Sequence, residues 1–592
     1  MSMRPYLRSL VFICVLFSIF FSACRNEPKL PNNPWDKSVK VRLSGDPESL
    51  GYLYVTDRKA LEIVRQLFLP LADFDPATER LTPLLAKSLP AITEITEGDN
   101  AGLVSYAFEI RPEATWADGS PVTGKDFLFT LKAIFNPHKR SIYASQFRRI
   151  KSVDIDETNP KKFTIYSEPY MMAAPSYSNF SLLPAYLYDS EGVMEQYTLA
   201  DLMDKEKLLD REDLKALGEA MNSPAYLRSP EKLQGSGPYK LEDWITGQQI
   251  SIVKRDNWWG DELGKTERLL KAVPERVIYK MIPDMNAAVS LMKNGELDVI
   301  GLMDWTTFLD AQKDEAFSEK VNFYTPDLYA IRAININTTK ELLLDKKVRR
   351  AIAHLFDFDE INKTIWYGKS KPTVGPVYPT KPAYNQDLKR ITFDIAKAKT
   401  LMEEAGWADT NGNGIMDKTV NGELTEFEIE LSYAAGNDDY AKAAGIFSDA
   451  AKEAGLNINP KSYESSTYFD VLRGKKFDLA FSGFGDYPFN FDPANKWHTR
   501  GGINYASFGT AESDALIIEL RKTIDVKKQD ELSKQLQAMI YEEQPVIFLA
   551  IDTDRMMVTK KFGEITAYGL SPGYNVNEFN GNTVVAVSSS NN

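Results

Sequence analysis

The sequence predicts α/β lobes in which mostly parallel sheets are covered by helices, and two stretches carry that prediction. From Arg276 to Ile282 the chain reads as a strand, and Met285 to Asn294 then places Ala288, Val289, Leu291 and Met292 on one helical face. Gly295 suits a left-handed helix stop, and Leu297 to Ile300 reads as the next strand. In the second stretch Phe427, Ile429 and Leu431 alternate. A helix from about Asp438 to Ala454 follows, stopped by Gly455, and a strand is expected around Leu456 to Ile458. Strand-helix-strand units of this length favour parallel pairing under a helical cover.

The remaining elements follow in chain order. Arg4 and Arg8 precede twelve almost unbroken apolar residues, Leu10 to Phe21, and Phe21-Ser22-Ala23-Cys24 closes the run, which describes a secretory signal over residues 1–23. Twelve residues are too few to span a hydrocarbon core of ~30 Å. Pro28, Pro31 and Pro34 lie among Asn and Lys, so residues 24–38 are read as a tether. Thr123 and Asp126 have capping-box spacing ahead of Phe127, Leu128 and Leu131. Asp345 is placed to cap a helix carrying Val348, Ala351, Ile352 and Leu355, and Asp394 one carrying Ala398, Leu401, Met402 and Ala405 that ends at Gly406. Pro545 to Ile551 is short enough to be a core strand at most, and no later apolar run reaches membrane-spanning length.

Composition narrows the function classes. Of the two cysteines, Cys14 lies within the signal, so Cys24 has no partner in the mature chain and stability must come from burial. The formal charge of −13 becomes −15 once Arg4 and Arg8 leave with the signal, a surface that repels nucleic acid at long range. Only His138, His354 and His498 are present, with no H-E-x-x-H, which argues against a zinc peptidase. No G-x-S-x-G elbow occurs, and Gly264-Lys265-Thr266 follows Gly260 one residue too closely for a phosphate loop. No enzyme signature survives.

Several segments share a family pattern. Tyr106 to Phe135 reads Y-A-F-E-I-R-P-E-A-T-W-A-D-G-S-P-V-T-G-K-D-F-L-F-T-L-K-A-I-F. G-S-G-P-Y-K-L (Gly235 to Leu241), K-R-D-N-W-W (Lys254 to Trp259), N-G-E-L-D-V (Asn294 to Val299), D-K-K-V-R-R-A-I-A (Asp345 to Ala353) and K-T-L-M-E-E-A-G-W (Lys399 to Trp407) follow in order, ahead of Asn504 to Leu516. Together they resemble extracellular solute-binding protein family 5, the peptide-binding lipoproteins and periplasmic proteins of ABC importers. The resemblance implies a two-lobed, type II periplasmic-binding-protein-like α/β fold with an additional inserted domain. Domain I would comprise residues 39–80, 230–332 and 549–592, domain II 81–229, and domain III 333–548, with closure at a hinge near 332 and 548. Cysteine at the first mature position resembles a bacterial lipoprotein signal, which implies acylation of Cys24 and a lipid anchor facing the periplasm or the extracellular side. An ordinary signal peptide with an incidental cysteine is the alternative.

The resemblance also implies a site. Peptide-binding members use a carboxylate after a Gly-Trp pair to grip the peptide's α-ammonium, and the matching stretch, Phe477 to Pro488, places Asp486 there with Gly483 and Phe484 as the pair. Phe484 replaces Trp, and Asp486 comes one residue early; the alternative is that Asp486 opens a turn before Pro488. Phe484, Tyr487 and Tyr505 either wall the cleft or belong to the core. Gly45 to Tyr54, the early cleft strand, carries Gly51-Tyr52 where Asp-Pro is common. The expected partners are a peptide, permease and ATPase subunits and the membrane through the lipid, with the chain a monomer that needs no cofactor. A nickel-chelate, haem or oligosaccharide ligand, or a lipid-anchored receptor or chaperone without transport, is the alternative. Finally, Asp409, Asn411, Asn413 and Asp417 stand at calcium-loop positions 1, 3, 5 and 9, but position 12 is Val420, so the loop is either a structural calcium site or a polar Asn-Gly turn.

Overall fold

A computed structural model describes residues 35–581 except Thr56, Arg140 and residues 486–491. The signal, Cys24 and most of the expected tether lie outside the described residues. The first strand, β1 (Ser38–Leu43), starts within the stretch expected as tether. Just before it, Trp35 packs edge-on to Phe562 with centroids 6.1 Å apart. After β1 come the hairpin β2 (Ala72–Asp75) and β3 (Arg80–Pro83) and the strands β4 (Ala91–Glu94), β5 (Val104–Glu109), β6 (Ile150–Ile155) and β7 (Lys162–Ser167). The hairpin β8 (Tyr239–Ile245) and β9 (Gln249–Lys254), then β10 (Arg276–Met281), β11 (Val299–Ile300) and β12 (Val321–Tyr324), follow. The second half supplies β13 (Asp327–Ile336), β14 (Lys371–Pro372), β15 (Asp417–Val420), β16 (Glu423–Glu426), β17 (Glu428–Ala434), β18 (Asn457–Tyr463), β19 (Leu479–Gly485), β20 (Val546–Thr553) and β21 (Met556–Thr559).

These strands form two principal sheets and a four-stranded one. The first sheet has the order β12-β21-β11-β1-β10-β9-β8, the second β14-β20-β13-β19-β17-β18, and the inserted sheet β4-β5-β7-β6. The sequence expectation of mostly parallel sheets needs correction. Among the described residues only β1 with β10 and β11, and β17 with β18 and β19, pair in parallel. Periodicity reveals the β10-helix-β11 and β17-helix-β18 units among them, with β1 inserted between β10 and β11. The antiparallel strands come from hairpins and from chain segments that return after hundreds of residues, which no local pattern announces.

The expected helices form where their caps stand. Asp284 accepts from the Ala287 N–H at the start of Met285–Lys293, and Gly295 takes φ +76° just after it. Asp345 caps Lys346–His354, Asp394 caps Ile395–Glu404, and Thr123 with Asp126 makes the complete reciprocal box on Gly124–Ile134. Helix Asp438–Glu453 and Gly455 at φ +81° also agree, while the strand after it runs on to Tyr463. Gly45 to Tyr54 is not a strand; Tyr52–Tyr54 is a single 3₁₀ turn with Leu50 and Leu53 buried. The Tyr52 hydroxyl accepts from the Ser181 N–H at 3.0 Å, which ties this turn to the inserted part of the chain.

The family-like motifs at 235–241 and 254–259 turn out to be packing devices. A Cβ at Gly235 would lie 2.2 Å from the Leu67 carbonyl, and one at Gly237 2.4 Å from that of Gln66. The indoles of Trp258 and Trp259 both donate to the Ser236 carbonyl at 2.9 Å. Glycine is needed there because the end of helix Arg58–Leu67 comes within van der Waals reach of the chain.

Candidate functional site

Parallel strands place their carboxyl ends, and the loops that follow, on one edge of a sheet, where ligands of open α/β sheets bind. In the first sheet that edge is formed by Leu43, Met281 and Ile300, after β1, β10 and β11. In the second it is formed by Ala434, Tyr463 and Gly485, after β17, β18 and β19. A two-stranded ribbon joins the two edges. β12 pairs with β21 in the first sheet (Tyr324 opposite Met556), and β13 pairs with β20 in the second (Asp327 opposite Thr553). Between them the Asp554 N–H donates to the Pro326 carbonyl at 3.0 Å. Pro326 has no N–H to return, so the ladder thins to one bond where the chain changes sheets. The crossover therefore falls at 325–326 and 554–555. The hinge positions expected near 332 and 548 lie inside the second sheet, because β13 and β20 stay paired well past them.

Charged and aromatic side chains collect on this ribbon. The Arg332 guanidinium donates to Asp552 at 2.7 Å, lies 3.7 Å from Asp439, and sits with its central carbon 5.1 Å from the Trp366 ring. Burial works against its charge, but Asp552, Tyr440 and Asp439 outweigh burial and hold it above the usual arginine range. Arg555 donates to the carbonyls of Met303 at 2.6 Å and Thr553 at 2.5 Å, and lies 5.3 Å from the Trp305 ring. Asp554 is buried and accepts from the N–H groups of Leu302 (2.9 Å) and Arg555 (2.7 Å); burial pushes its pKa up. Trp305, following the first sheet's edge, and Tyr367, beside the second, face each other at 6.0 Å. Lys371 pairs with Asp327 at the same rim.

Beside the ribbon, helix Arg58–Leu67 and the segment 571–576 enclose a cavity of about 120 Å³ lined by Arg58, Glu62, Arg65, Gln66 and Tyr574. Burial pushes the Glu62 carboxyl up to about 7, against the opposing pull of the Tyr574 hydroxyl, which donates to it at 2.5 Å, and of Arg58.

The sequence-derived candidates are placed unevenly. Asp486 and Tyr487 lie outside the described residues. Gly483 is exposed on β19 directly opposite Arg332, so this candidate is brought to the ribbon. Phe484 points away from it into a core with Trp497 and Phe548, each 5.9 Å away, and is only 7% exposed. Tyr505 is half-buried against Tyr468, Val471 and Phe477 of its own lobe. In the calcium-like loop, Asp409 accepts from the N–H groups of Gly412, Asn413 and Gly414, and buried Asp417 accepts from both the N–H and the hydroxyl of Thr410. Asn413 donates to Glu426 at 2.6 Å, and Asn411 to the same carboxylate at 3.5 Å. Arg332, Asp439, Asp552 and Arg555 were not singled out from the sequence. For Asp552 and Arg555 the signal is charge directly after an apolar run, V-I-F-L-A-I-D-T-D-R from Val546 to Arg555, whereas Arg332 lies within β13 and Asp439 in the first turn of a helix.

Comparison with known proteins places this geometry. The family model described as "Bacterial extracellular solute-binding proteins, family 5 Middle" matches residues 80–505. The chain is similar to the oligopeptide-binding protein AppA of Bacillus subtilis, 24% identical over 571 residues, 94% of this chain and 95% of that one. The structure of AppA in complex with a nonapeptide superposes with a TM-score of 0.66 at 23% identity, covering 91% of this chain and 98% of AppA. NikA of Brucella suis, solved with Fe(III)-EDTA, gives a TM-score of 0.72 at 20% identity over 92% of this chain and 99% of NikA. The heme-binding protein A of Haemophilus influenzae is 26% identical over 322 residues, 53% of this chain and 54% of that protein.

Proposed function

Because the chain belongs to the bacterial extracellular solute-binding proteins of family 5, we propose that it is the substrate-binding component of an ABC importer. In this reading it captures short peptides between its two lobes and delivers them to a membrane permease powered by ATPase subunits. The observation that carries it is the ribbon of β12–β13 and β20–β21, which joins two ligand-binding sheet edges through a single thinned crossover. Such a ribbon lets the lobes open and close as bodies, so that solute is bound by a change of population and no bond is made or broken. The near full-length similarity to an oligopeptide-binding protein supports a peptide as the solute. Asp486, directly after the end of β19, is the proposed partner of the peptide's α-ammonium, a charge-assisted pair that reads a free amino end whatever side chains follow. Cys24 is the proposed lipid anchor.

A chelated metal or haem is the second reading, favoured by the similarity to NikA and to the heme-binding protein. The histidines do not help it. His354 contacts the Thr392 carbonyl at 2.8 Å and His498 lies 3.6 Å from Asp514, neither of them on the ribbon. Thermal unfolding of refolded, ligand-stripped protein separates the readings. A ligand at ~100 times its Kd adds ~2.7 kcal/mol. Stabilisation by free-amine peptides and not by their N-acetylated forms supports peptide capture; stabilisation by haem or a nickel chelate alone replaces it.

A further inference from the structure

The part of the chain that carries the inserted sheet does not touch only the first lobe. Just after β7, Tyr170 and Met171 meet the second lobe at Asp492 and helix Ala511–Lys522. The Tyr170 hydroxyl donates to Asp492 at 3.0 Å, and the Arg521 guanidinium donates to the same oxygen at 2.8 Å. The other Asp492 oxygen accepts from the Ala494 N–H at 2.9 Å, which fixes the carboxylate in place. The Tyr170 ring lies between two guanidinium groups, 4.1 Å from Arg149 of its own domain and 5.9 Å from Arg521 of the other lobe. One backbone bond crosses as well, from the Met171 N–H to the Arg521 carbonyl at 2.9 Å. Under these polar contacts Met171, Leu520 and Leu532 are buried in one continuous apolar cluster. The void left between Met171, Pro493, Trp497 and Leu520 is only about 20 Å³, so the surfaces fit.

We propose that Tyr170, Asp492 and Arg521 form a ligand-independent clasp that holds the lobes together and sets how readily the interlobe site opens. The inference rests on the reading of solute capture between the lobes and adds its regulation. Opening separates the Tyr170 hydroxyl from a carboxylate already held by Arg521, breaks the Met171 bond, and brings water to Met171 and Leu520. A hydrogen bond to a charged group is strong enough to shift an opening equilibrium about tenfold. A clasp made outside the solute contacts changes the fraction of binding-competent protein by the same factor for every ligand.

The test is hydrogen–deuterium exchange of purified, ligand-stripped protein, read by mass spectrometry over residues 168–176 and 516–524. In the wild type the Met171 amide is expected to be protected without any added ligand. Tyr170→Phe and Asp492→Asn should each speed its exchange about tenfold, while β1 and β17 keep wild-type protection. Tyr170→Phe removes one oxygen and keeps the ring, so it provides a fold-preserving variant should Asp492→Asn disturb the turn at Ala494. An unprotected Met171 amide in the wild type, or unchanged exchange in both variants, would overturn the clasp. Failure of every peptide to bind would overturn the transport reading and leave this exchange pattern as it is.

Discussion

Raising the pH through neutrality should destabilise the protein at Glu62, and Glu62→Gln should remove that part of the pH dependence. The carboxyl is moved from 4.5 to about 7 by burial. Below about pH 4.5 the group is protonated whether the chain is folded or not, and it contributes no difference. Between the two values the folded protein keeps a proton that the unfolded chain gives up, so stability falls as pH rises and the loss is complete above about 7. A displacement of roughly 2.5 units at ~1.36 kcal/mol each sets a ceiling of ~3 kcal/mol. The cavity of about 120 Å³ beside the carboxyl admits water on one side, so a loss of about 1–3 kcal/mol is expected. For a chain this long that corresponds to roughly 1–3 °C in Tm. Differential scanning calorimetry of wild type and Glu62→Gln across the interval measures it. Glutamine keeps an acceptor for the Tyr574 hydroxyl and cannot ionise, so the two curves should converge below about pH 4.5, part between there and about 7, and stay apart above. Tyr574→Phe gives a second check: it removes the donor that favours the charged form and should move the fall to higher pH. Parallel curves for wild type and Glu62→Gln would refute the reasoning.

Asp486→Asn should weaken free-amine peptides about tenfold or more, the worth of a charged hydrogen bond, and leave acetylated ones unchanged; equal affinities by titration calorimetry would remove Asp486 from the site. Arg332→Met takes from Asp552 its nearest cation and leaves it Arg555 at 3.9 Å, and since Asp552 is 30% exposed the expected cost is about 1–3 kcal/mol in urea unfolding. Adding Asp552→Asn should recover part of that loss, and no recovery would show that the arginine stabilises through Asp439 and Trp366 rather than through Asp552. A chelator should leave the thermal midpoint unchanged, because Asp409 and Asp417 already accept from N–H and hydroxyl groups of their own loop. A calcium-dependent rise would establish the loop as a metal site.

The legible parts of this fold were those decided within a turn or two of chain. Caps at Asp345, Asp394 and the Thr123–Asp126 box, and stops at Gly295 and Gly455, are local hydrogen-bond and steric matters, and the helices begin and end there. Sheet composition was not legible, because β1 takes neighbours from beyond residue 270 and β20 pairs with β13 across more than 200 residues. The early segment Gly45 to Tyr54 misled for a related reason. The resemblance implies a strand there, but Leu50 and Leu53 are buried and Tyr52 is held by Ser181 of a distant segment. Gly483, singled out through its motif, lies opposite Arg332, whereas Arg332 and Asp552 become partners only once two strands lie side by side.

The last strands occupy interior places. β21 lies between β12 and β11, and β20 between β14 and β13, so neither sheet is continuous until residues near the end of the chain arrive. An emerging polypeptide that stops short of Val546 would leave β12 and β14 cut off from their sheets, and the flanks of β11 and β13 as unpaired edges. A stop codon just ahead of Val546 would therefore deprive both lobes at once of one half of the ribbon that joins them.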